Sequence, residues 1–188
     1  ELGEFGPALE LYRQSTGSSG LDGAVWRRIA QCHQRRGEAA AALEVLRGVV
    51  TREPEASDLD SLTYTMADLL VTLKRPAEAA RRYLQLYSDW PDRPLATAAA
   101  VQAGNLYFEL ERYADAYQAF APVLKLEPDE TTHARAVLAL FRDARTAEAE
   151  RATKKFRKQF GRKSSWLELF QLEEAQYLLA AESFDAAL

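Results

Sequence analysis

Cysteine, histidine, glycine and proline are all scarce in this sequence. Cys32 is the single cysteine among 188 residues, so no disulfide can form within the chain. His33 and His133 lie 100 positions apart and with Cys32 do not make a zinc site. Alternating runs of Val, Ile and Thr, which mark strands, are essentially absent, and the few glycines and prolines fall between apolar periodic stretches. The chain is therefore predicted to be all-α.

Long apolar runs and a strong charge of one sign are also lacking. No apolar run approaches the roughly 18 residues that a membrane-spanning helix would need. The chain carries 24 Lys and Arg against 28 Asp and Glu, a net charge of −4, so composition demands neither nucleic acid nor a membrane surface. Hydrophobic residues make up 47% of the sequence, which allows one buried core or one continuous array.

Catalytic signatures are missing as well. The sequence has no phosphate-cradling glycine loop, no nucleophile elbow and no calcium loop. Cys32 and His33 do not form a dyad, because neighbours on a helix point about 100° apart; both are expected to pack inside, whereas His133 is expected to be exposed. The acidic clusters flank helix starts, where carboxylates favour the helix dipole. We expect no enzymatic activity, no cofactor and no metal.

A short pattern recurs along the chain: a polar or glycine turn, then an alanine, then a large apolar residue. The aligned alanines are separated by 34, 38, 36 and 71 residues: Ala8, Ala42, Ala80, Ala116 and Ala187. The last interval is about two periods, so a degenerate repeat is expected around Ala152. A small residue one turn into a helix lets antiparallel helices approach closely, and a large residue four positions on fills the gap between repeats. The predicted gap fillers are Leu46, Leu84, Phe120 and Phe156.

The helix before each turn supplies the rest of the pattern. One helical face carries Trp26, Ile29, Ala30 and His33 in residues 23–36, and Ala100, Ala103, Gly104 and Tyr107 in residues 97–110. With the prolines at 54, 91 and 128, these positions resemble the tetratricopeptide pattern W-x2-L-G-x2-Y…A…F…P. One departure is Asp68, which stands where the pattern has a small residue. The resemblance implies an α-solenoid of antiparallel hairpins, each made of a helix A and a helix B.

The repeats predict the organisation of the chain. We expect a single array over 1–188, with units at about 1–16 (partial), 23–56, 58–94, 97–130, 131–163 (degenerate) and 165–188 (partial). The predicted helices lie near 5–14, 23–36, 39–52, 59–73, 76–89, 96–110, 113–126, 131–144, 147–160 and 166–180. Because the pattern starts within one unit and stops within another, we expect the chain to be a segment of a longer protein.

The resemblance implies a protein-interaction scaffold that docks another protein or a peptide on the helix A face that helix B leaves free. The residues predicted to line this groove are Arg27, Gln31, Gln34, Arg35, Thr65, Leu69, Asn105 and Phe108. Units longer than 34 residues that end in a Tyr-x-x-Trp-Pro break resemble those of bacterial envelope-assembly and exopolysaccharide-export proteins. A role in such machinery is the hypothesis that follows, and it favours the periplasm over the cytoplasm.

A run of basic residues leaves an alternative open. Within residues 151–163 there are seven cations and no acid: Arg151, Lys154, Lys155, Arg157, Lys158, Arg162 and Lys163. Ala152, Phe156 and Phe160 recur on the opposite face, so the helix is amphipathic. The cations are either a solvated face or a patch that binds an acidic protein, an anionic polymer or phospholipid head groups. Direct binding of exopolysaccharide or nucleic acid is the alternative function, with nucleic acid the less favoured of the two. A polymer binder usually carries aromatic platforms among its basic residues, whereas Phe156 and Phe160 are expected to be buried, which favours the scaffold.

Overall fold

The computed structural model describes residues 23–52, 58–126, 129–161 and 163–185. It contains α1 (Gly23–Arg35), α2 (Ala39–Arg52), α3 (Leu59–Thr72), α4 (Pro76–Asp89), α5 (Ala96–Glu109), α6 (Tyr113–Phe120), α7 (Glu130–Arg142), α8 (Thr146–Phe160) and α9 (Trp166–Asp185), with a 3₁₀ turn at Val123–Lys125. These ranges contain no strand, which confirms the all-α prediction. None of the helices seen there is long and apolar enough to cross a membrane. The helix predicted at 5–14 lies outside the described residues.

Four hairpins share one kind of turn. Each turn passes through one left-handed residue, namely Gly37, Lys74, Glu111 or Ala144, with φ between 56° and 78°. The next backbone N–H donates to the carbonyl five residues earlier, over 2.8–2.9 Å in every case. This six-to-one bond caps the last turn of helix A. The chain then enters helix B in the same register each time.

The shared turn fixes which alanine is equivalent in each hairpin. Five residues after the left-handed position stands a fully buried alanine: Ala42, Ala79, Ala116 and Ala149. The predicted Ala80 is therefore one position late, and the predicted Ala152 is three positions late. Three of the four left-handed residues are not glycine, so sequence spacing alone could not locate the turns.

The corrected register also moves three other assignments. The residue four positions after Ala149 is Thr153, so Phe156, although buried, is not in register with Leu46 and Phe120. Tyr83, four residues after Ala79, takes the large apolar position and is 2% exposed, whereas the predicted Leu84 is half-buried. The departure predicted at Asp68 disappears, because Ala67 is the residue in register with Gly104, and it is fully buried. The residues in register with Gly104 are thus Ala30, Ala67 and, in α7, the larger Val137, so the four hairpins differ in side-chain volume at this position.

The structure divides into two compact units, and the first covers residues up to Ala99. Within it α1 packs on α2, α2 on α3 and α3 on α4, and α1 also contacts α3. Its largest fully buried side chains are aliphatic: Leu43, Leu46, Leu62, Met66, Leu69, Leu70 and Leu86. Because α3 contacts three other helices, it is apolar on more than one side.

The second unit begins at Ala100, within α5. There α7 is the central helix and packs against α6, α8 and α9. Phenylalanines dominate this core: Phe120, Phe156 and Phe170 are fully buried, and the Phe156 and Phe170 rings meet edge to face at 5.2 Å. The predicted packing face of the basic helix is confirmed, since Ala152 and Phe160 pack with Phe156 against this cluster.

Two helix ends differ from prediction. The helix predicted over 113–126 stops at Phe120, because Pro122 has no N–H to continue the helical bonding, and a short 3₁₀ turn follows. The helix predicted to end at 180 continues to Asp185. Residues 181–185 contain neither glycine nor proline, so nothing in the local sequence stops the helix there.

Candidate partner-binding surfaces

The first helix of unit 1 presents the predicted polar face. Ile29, Ala30 and His33 are buried, and the His33 Nδ1 atom lies 2.7 Å from a carboxylate oxygen of Glu38 in the turn. The predicted residues Gln31, Gln34 and Arg35 are exposed on the other side. Arg27 belongs to α1, but its side chain lies outside the described residues. Burial of one face of α1 thus leaves amide and guanidinium groups accessible on the other.

On α3 the predicted list of groove residues is wrong at one position. Leu69 is fully buried, since α3 packs against α1, α2 and α4, and it is not accessible to a partner. Thr65 is half-buried, and its hydroxyl donates to the Ser61 carbonyl at 2.9 Å. The polar side chain next to Leu69 is Asp68, which accepts a hydrogen bond from the Tyr83 hydroxyl. On this part of α3 the accessible side chain is therefore that of Asp68, whereas Leu69 belongs to the core.

In unit 2, hydrogen bonds join three successive helices of type A. Arg135 of α7 donates to the Asn105 Oδ1 atom of α5 at 2.8 Å. Two turns further along α7, Arg142 donates two hydrogen bonds to one carboxylate oxygen of Glu173 in α9, at 2.7 and 2.9 Å. The Phe108 ring lies beneath, with its centroid 5.1 Å from the Arg142 guanidinium carbon. We name Asn105, Phe108, Arg135, Arg142 and Glu173 the unit 2 wall.

Sequence reasoning found only part of this wall. Asn105 and Phe108 were predicted, whereas Arg135, Arg142 and Glu173 were not. The missed signal is the spacing of the two arginines, because residues seven apart lie on one side of a helix. The bond to Glu173 also raises the pKa of Arg142, so its charge is fixed at any physiological pH. The wall is thus a fixed row of charged and polar groups beside an aromatic ring.

The predicted basic run is confirmed as an exposed face of α8, but it is not one continuous patch. Arg151 and Lys155 line a groove, Arg157 and Lys163 line a separate depression beside α9, and Lys154 and Lys158 line neither. Arg162 lies outside the described residues. The cations on this helix therefore differ in surroundings, and their roles can be tested separately.

The groove beside α8 lies between α6, α7 and α8 and encloses about 500 Å³. We name it the α6–α8 groove. Alanines and aliphatic side chains form its floor, and Lys125, Arg151 and Lys155 stand at its rim. His133 also lines it: the ring packs edge to face on Phe160 at 5.1 Å, and the Nδ1 atom is buried. The prediction that His133 is exposed is wrong, because α8 covers the ring.

Metal-binding groups are not assembled in the described part of the chain. No three or more His, Cys, Asp or Glu side chains cluster there as a metal site requires. Cys32 is half-buried and unpaired with sulfur.

No protein-family model and no curated protein sequence matches the chain. Solved structures do match. A MamA structure from Desulfovibrio magneticus RS-1, residues 41 to the end, aligns with 90% of this chain and 94% of its own, with a TM-score of 0.61 and 20% identity. Another MamA crystal structure aligns with 83% and 82%, with a TM-score of 0.60 and 15% identity. TPR-like repeats of the kinesin light chain type from Podospora anserina align with 86% and 88%, with a TM-score of 0.53 and 15% identity.

These similarities define the class of fold. The shared architecture is a tetratricopeptide-like helical solenoid, and the prediction of this fold from the repeat pattern is confirmed. At 15–20% identity the likeness concerns the fold and carries no residue roles. Function must therefore be argued from the surfaces of this chain.

Proposed function

We propose that this chain is a non-enzymatic protein-interaction scaffold that docks a partner on the free faces of its A helices. The unit 2 wall carries the proposal. It combines guanidinium and amide groups held in place by hydrogen bonds with one half-buried aromatic ring. Such a mixture suits a peptide segment, which offers backbone carbonyls and apolar side chains together.

Preorganisation strengthens the argument. The bond from Arg135 uses only the oxygen of the Asn105 amide, so the Asn105 nitrogen keeps its two donors. The Arg142 side chain is fixed by Glu173 and by the Phe108 and Tyr113 rings, at 5.1 and 5.6 Å. A side chain that is already ordered loses little entropy when a partner binds it. In unit 1, taken by itself, Gln31, Gln34 and Arg35 present similar amide and guanidinium groups on α1.

A more specific hypothesis concerns the cellular machinery in which this chain acts. The distance between equivalent alanines is 37 residues from Ala42 to Ala79 and again from Ala79 to Ala116, longer than the 34 of the common repeat. Together with the Tyr-x-x-Trp-Pro break at residues 87–91, this supports a role in bacterial envelope assembly or polysaccharide secretion. Under this hypothesis the protein works in the periplasm.

The alternative function is direct binding of an anionic polymer, such as exopolysaccharide, through the basic helix α8. Its support is the exposure of Arg151, Lys154, Lys155, Arg157 and Lys158. Phe156 is fully buried and Phe160 is packed against His133, so neither ring is free to stack on a sugar or a base. Charge alone would then have to provide the affinity, and it would be lost at high salt.

The test is site-specific photocrosslinking in the source cells. A photoreactive amino acid replaces Gln31 or Gln34 on α1, and matched versions replace Ser88 or Asp89 at the end of α4, which are equally exposed. We expect the α1 positions to give one defined protein adduct and the α4 positions to give none. The partner, once identified by mass spectrometry, is titrated against the Asn105→Ala/Arg142→Ala variant.

The titration distinguishes the two functions. Loss of a hydrogen-bonded anchor should weaken the partner by about 1–3 kcal/mol. Because the variant also loses the bonds of Arg142 to Glu173, a melting curve is measured beside the titration to show that the chain stays folded. A partner that binds this variant at full strength but is lost on Lys154→Glu/Lys158→Glu would contradict docking on the A helices. That result would support the polymer-type, charge-driven alternative.

A further inference from the structure

We infer that the α6–α8 groove is a second docking site, and that it takes an acidic peptide in which carboxylates flank an apolar side chain. The site is independent of the A-helix faces proposed above. It is built by α6, the following 3₁₀ turn, α7 and α8, all within unit 2. Shape, charge and an unsatisfied polar atom support it separately.

The shape comes from three alanines. Unit 1 has a groove in the same repeat register between α2, α3 and α4, and it encloses about 320 Å³ against about 500 Å³ in unit 2. At equivalent positions the unit 1 groove has Arg47, Met66 and Arg82, and the α6–α8 groove has Ala121, Ala136 and Ala152. Replacing three long side chains by methyl groups opens an apolar floor that Leu124 and Val137 extend.

The charge at the rim is uncompensated. Lys125 and Lys155 are exposed and form no ion pair within the described ranges. Arg151 donates from Nε to the Ala147 carbonyl, which leaves its terminal nitrogens available. The one carboxylate of the groove, that of Glu148, is already bonded to Arg145 at 2.7 Å. Three cations therefore surround an apolar floor, and two of them, Lys125 and Lys155, have no acidic partner among the described residues.

The third observation is a buried polar atom on a residue that lines the groove. His133 lines the groove, and its Nδ1 atom is buried without a hydrogen-bond partner among the residues that the structure describes. Leaving a buried polar atom unpaired is unfavourable, and a ligand amide or hydroxyl that reached this atom would remove the penalty. The groove thus lacks a hydrogen-bonding group as well as an anion.

These features together select the occupant. Cations at the rim require carboxylates, and the alanine-lined floor requires an aliphatic or aromatic side chain between them. A simple polyanion would satisfy the rim but leave the apolar floor wet. A peptide supplies both, and its backbone supplies the group for His133. We therefore assign an acidic, apolar-centred peptide rather than a polysaccharide.

The experiment selects a randomised displayed peptide library on the whole chain. We expect enriched peptides with Asp or Glu on both sides of a large apolar residue. The enriched peptide is then titrated by fluorescence anisotropy against two charge-reversed variants of the same helix. Arg151→Glu/Lys155→Glu, inside the groove, should weaken binding by at least about tenfold, and Lys154→Glu/Lys158→Glu, outside it, by less than about threefold. Equal losses in the two variants would overturn the proposal.

A second pair of variants separates shape from charge. Ala152→Arg and Ala121→Arg each introduce the residue that unit 1 carries at that position, so they fill the groove while adding a cation. We expect either variant to weaken the peptide by about tenfold or more. Stronger binding by both, with melting curves like that of the parent chain, would show plain charge attraction and refute a groove. Selection of peptides without acids, or no enrichment, would refute the assigned ligand.

Discussion

The two units use the same hairpin register but satisfy it with different volumes. In unit 2 the small residue of α5 is Gly104, and a Cβ atom placed there would lie 2.5 Å from the Phe120 ring. In unit 1 the equivalent small residue is Ala67, and the residue in register with Phe120 is Tyr83. Unit 2 thus pairs a phenylalanine ring with a position that carries no methyl group, whereas unit 1 pairs a tyrosine ring with an alanine. The comparison shows that the same register position accepts different small residues, and that at Gly104 the Phe120 ring leaves no room for a Cβ atom.

The difference between the two units can be tested by adding the missing methyl group at Gly104. Gly104→Ala should destabilise the chain by about 1–3 kcal/mol, because the Phe120 ring has to move. Ala67→Gly, the reverse change in unit 1, should cost only about 0.5–1 kcal/mol through backbone entropy and lost packing. Urea unfolding followed by circular dichroism measures both.

A double variant gives the control. If Phe120 causes the clash, Gly104→Ala should cost less in a Phe120→Leu background than in the parent chain. Additive losses would mean that the ring is not the obstacle, and the volume argument would fail.

The start of a helix provides a second comparison, with a smaller effect. Asp129 caps α7: its carboxylate accepts from the Thr132 backbone N–H at 3.0 Å and from the Thr132 hydroxyl at 2.8 Å. Asp58 precedes α3 at the equivalent place but makes no side-chain cap bond. Asp129→Ala should therefore cost about 1 kcal/mol, and Asp58→Ala should cost less.

Asp129→Asn is the matched control, since Asn also caps helices well and keeps most of the stability. The midpoint of urea unfolding distinguishes the variants. An Asp58→Ala loss as large as that of Asp129→Ala would contradict the difference between the two helix starts.

The fold was predictable from sequence because its signal is repeated. Burial of Ala42 and Ala116, helix lengths and the all-α class all follow from spacing that recurs over most of the chain. The exact positions of the turns were harder to predict, because Lys74, Glu111 and Ala144 adopt a left-handed backbone conformation that their residue types do not indicate. A better signal was present: an arginine follows each of these turns and pairs with an acid three residues on, at 2.6–2.7 Å.

The surfaces were harder to predict because they depend on pairs distant in sequence. Asn105 meets Arg135 thirty positions later, and Arg142 meets Glu173 thirty-one positions later. No local pattern specifies such a contact. Leu69 was misassigned for a related reason: helical spacing placed it on the free face, but α3 is covered on more than one side. Which face is free depends on neighbouring helices.

The smallest expected effect is a pair of opposite pH dependences, one in each unit. In unit 1, burial raises the pKa of Asp68, although the bond from Tyr83 opposes the shift. In unit 2, burial also acts to raise the pKa of Asp129, but the hydrogen bonds from Thr132 prevail and the pKa is lowered. Both comparisons are with the ordinary value of 3.8. The two carboxyls thus bind protons differently from the unfolded chain, and in opposite directions.

The signs follow from linkage. Asp68 holds its proton more tightly in the folded chain, so its contribution to stability is present below pH 3.8 and is lost as pH rises through the raised pKa. Asp129 holds its proton less tightly, so its contribution is present above pH 3.8 and is lost as pH falls through the lowered pKa. Relative to the parent chain, Asp68→Asn should gain stability as pH increases from about 3 to 6, and Asp129→Asn should gain as pH decreases. Urea midpoints measured across this range, with carboxyl titrations followed by NMR, test both signs. Two difference curves of the same slope would show that the two carboxyls share one environment, contrary to the structure.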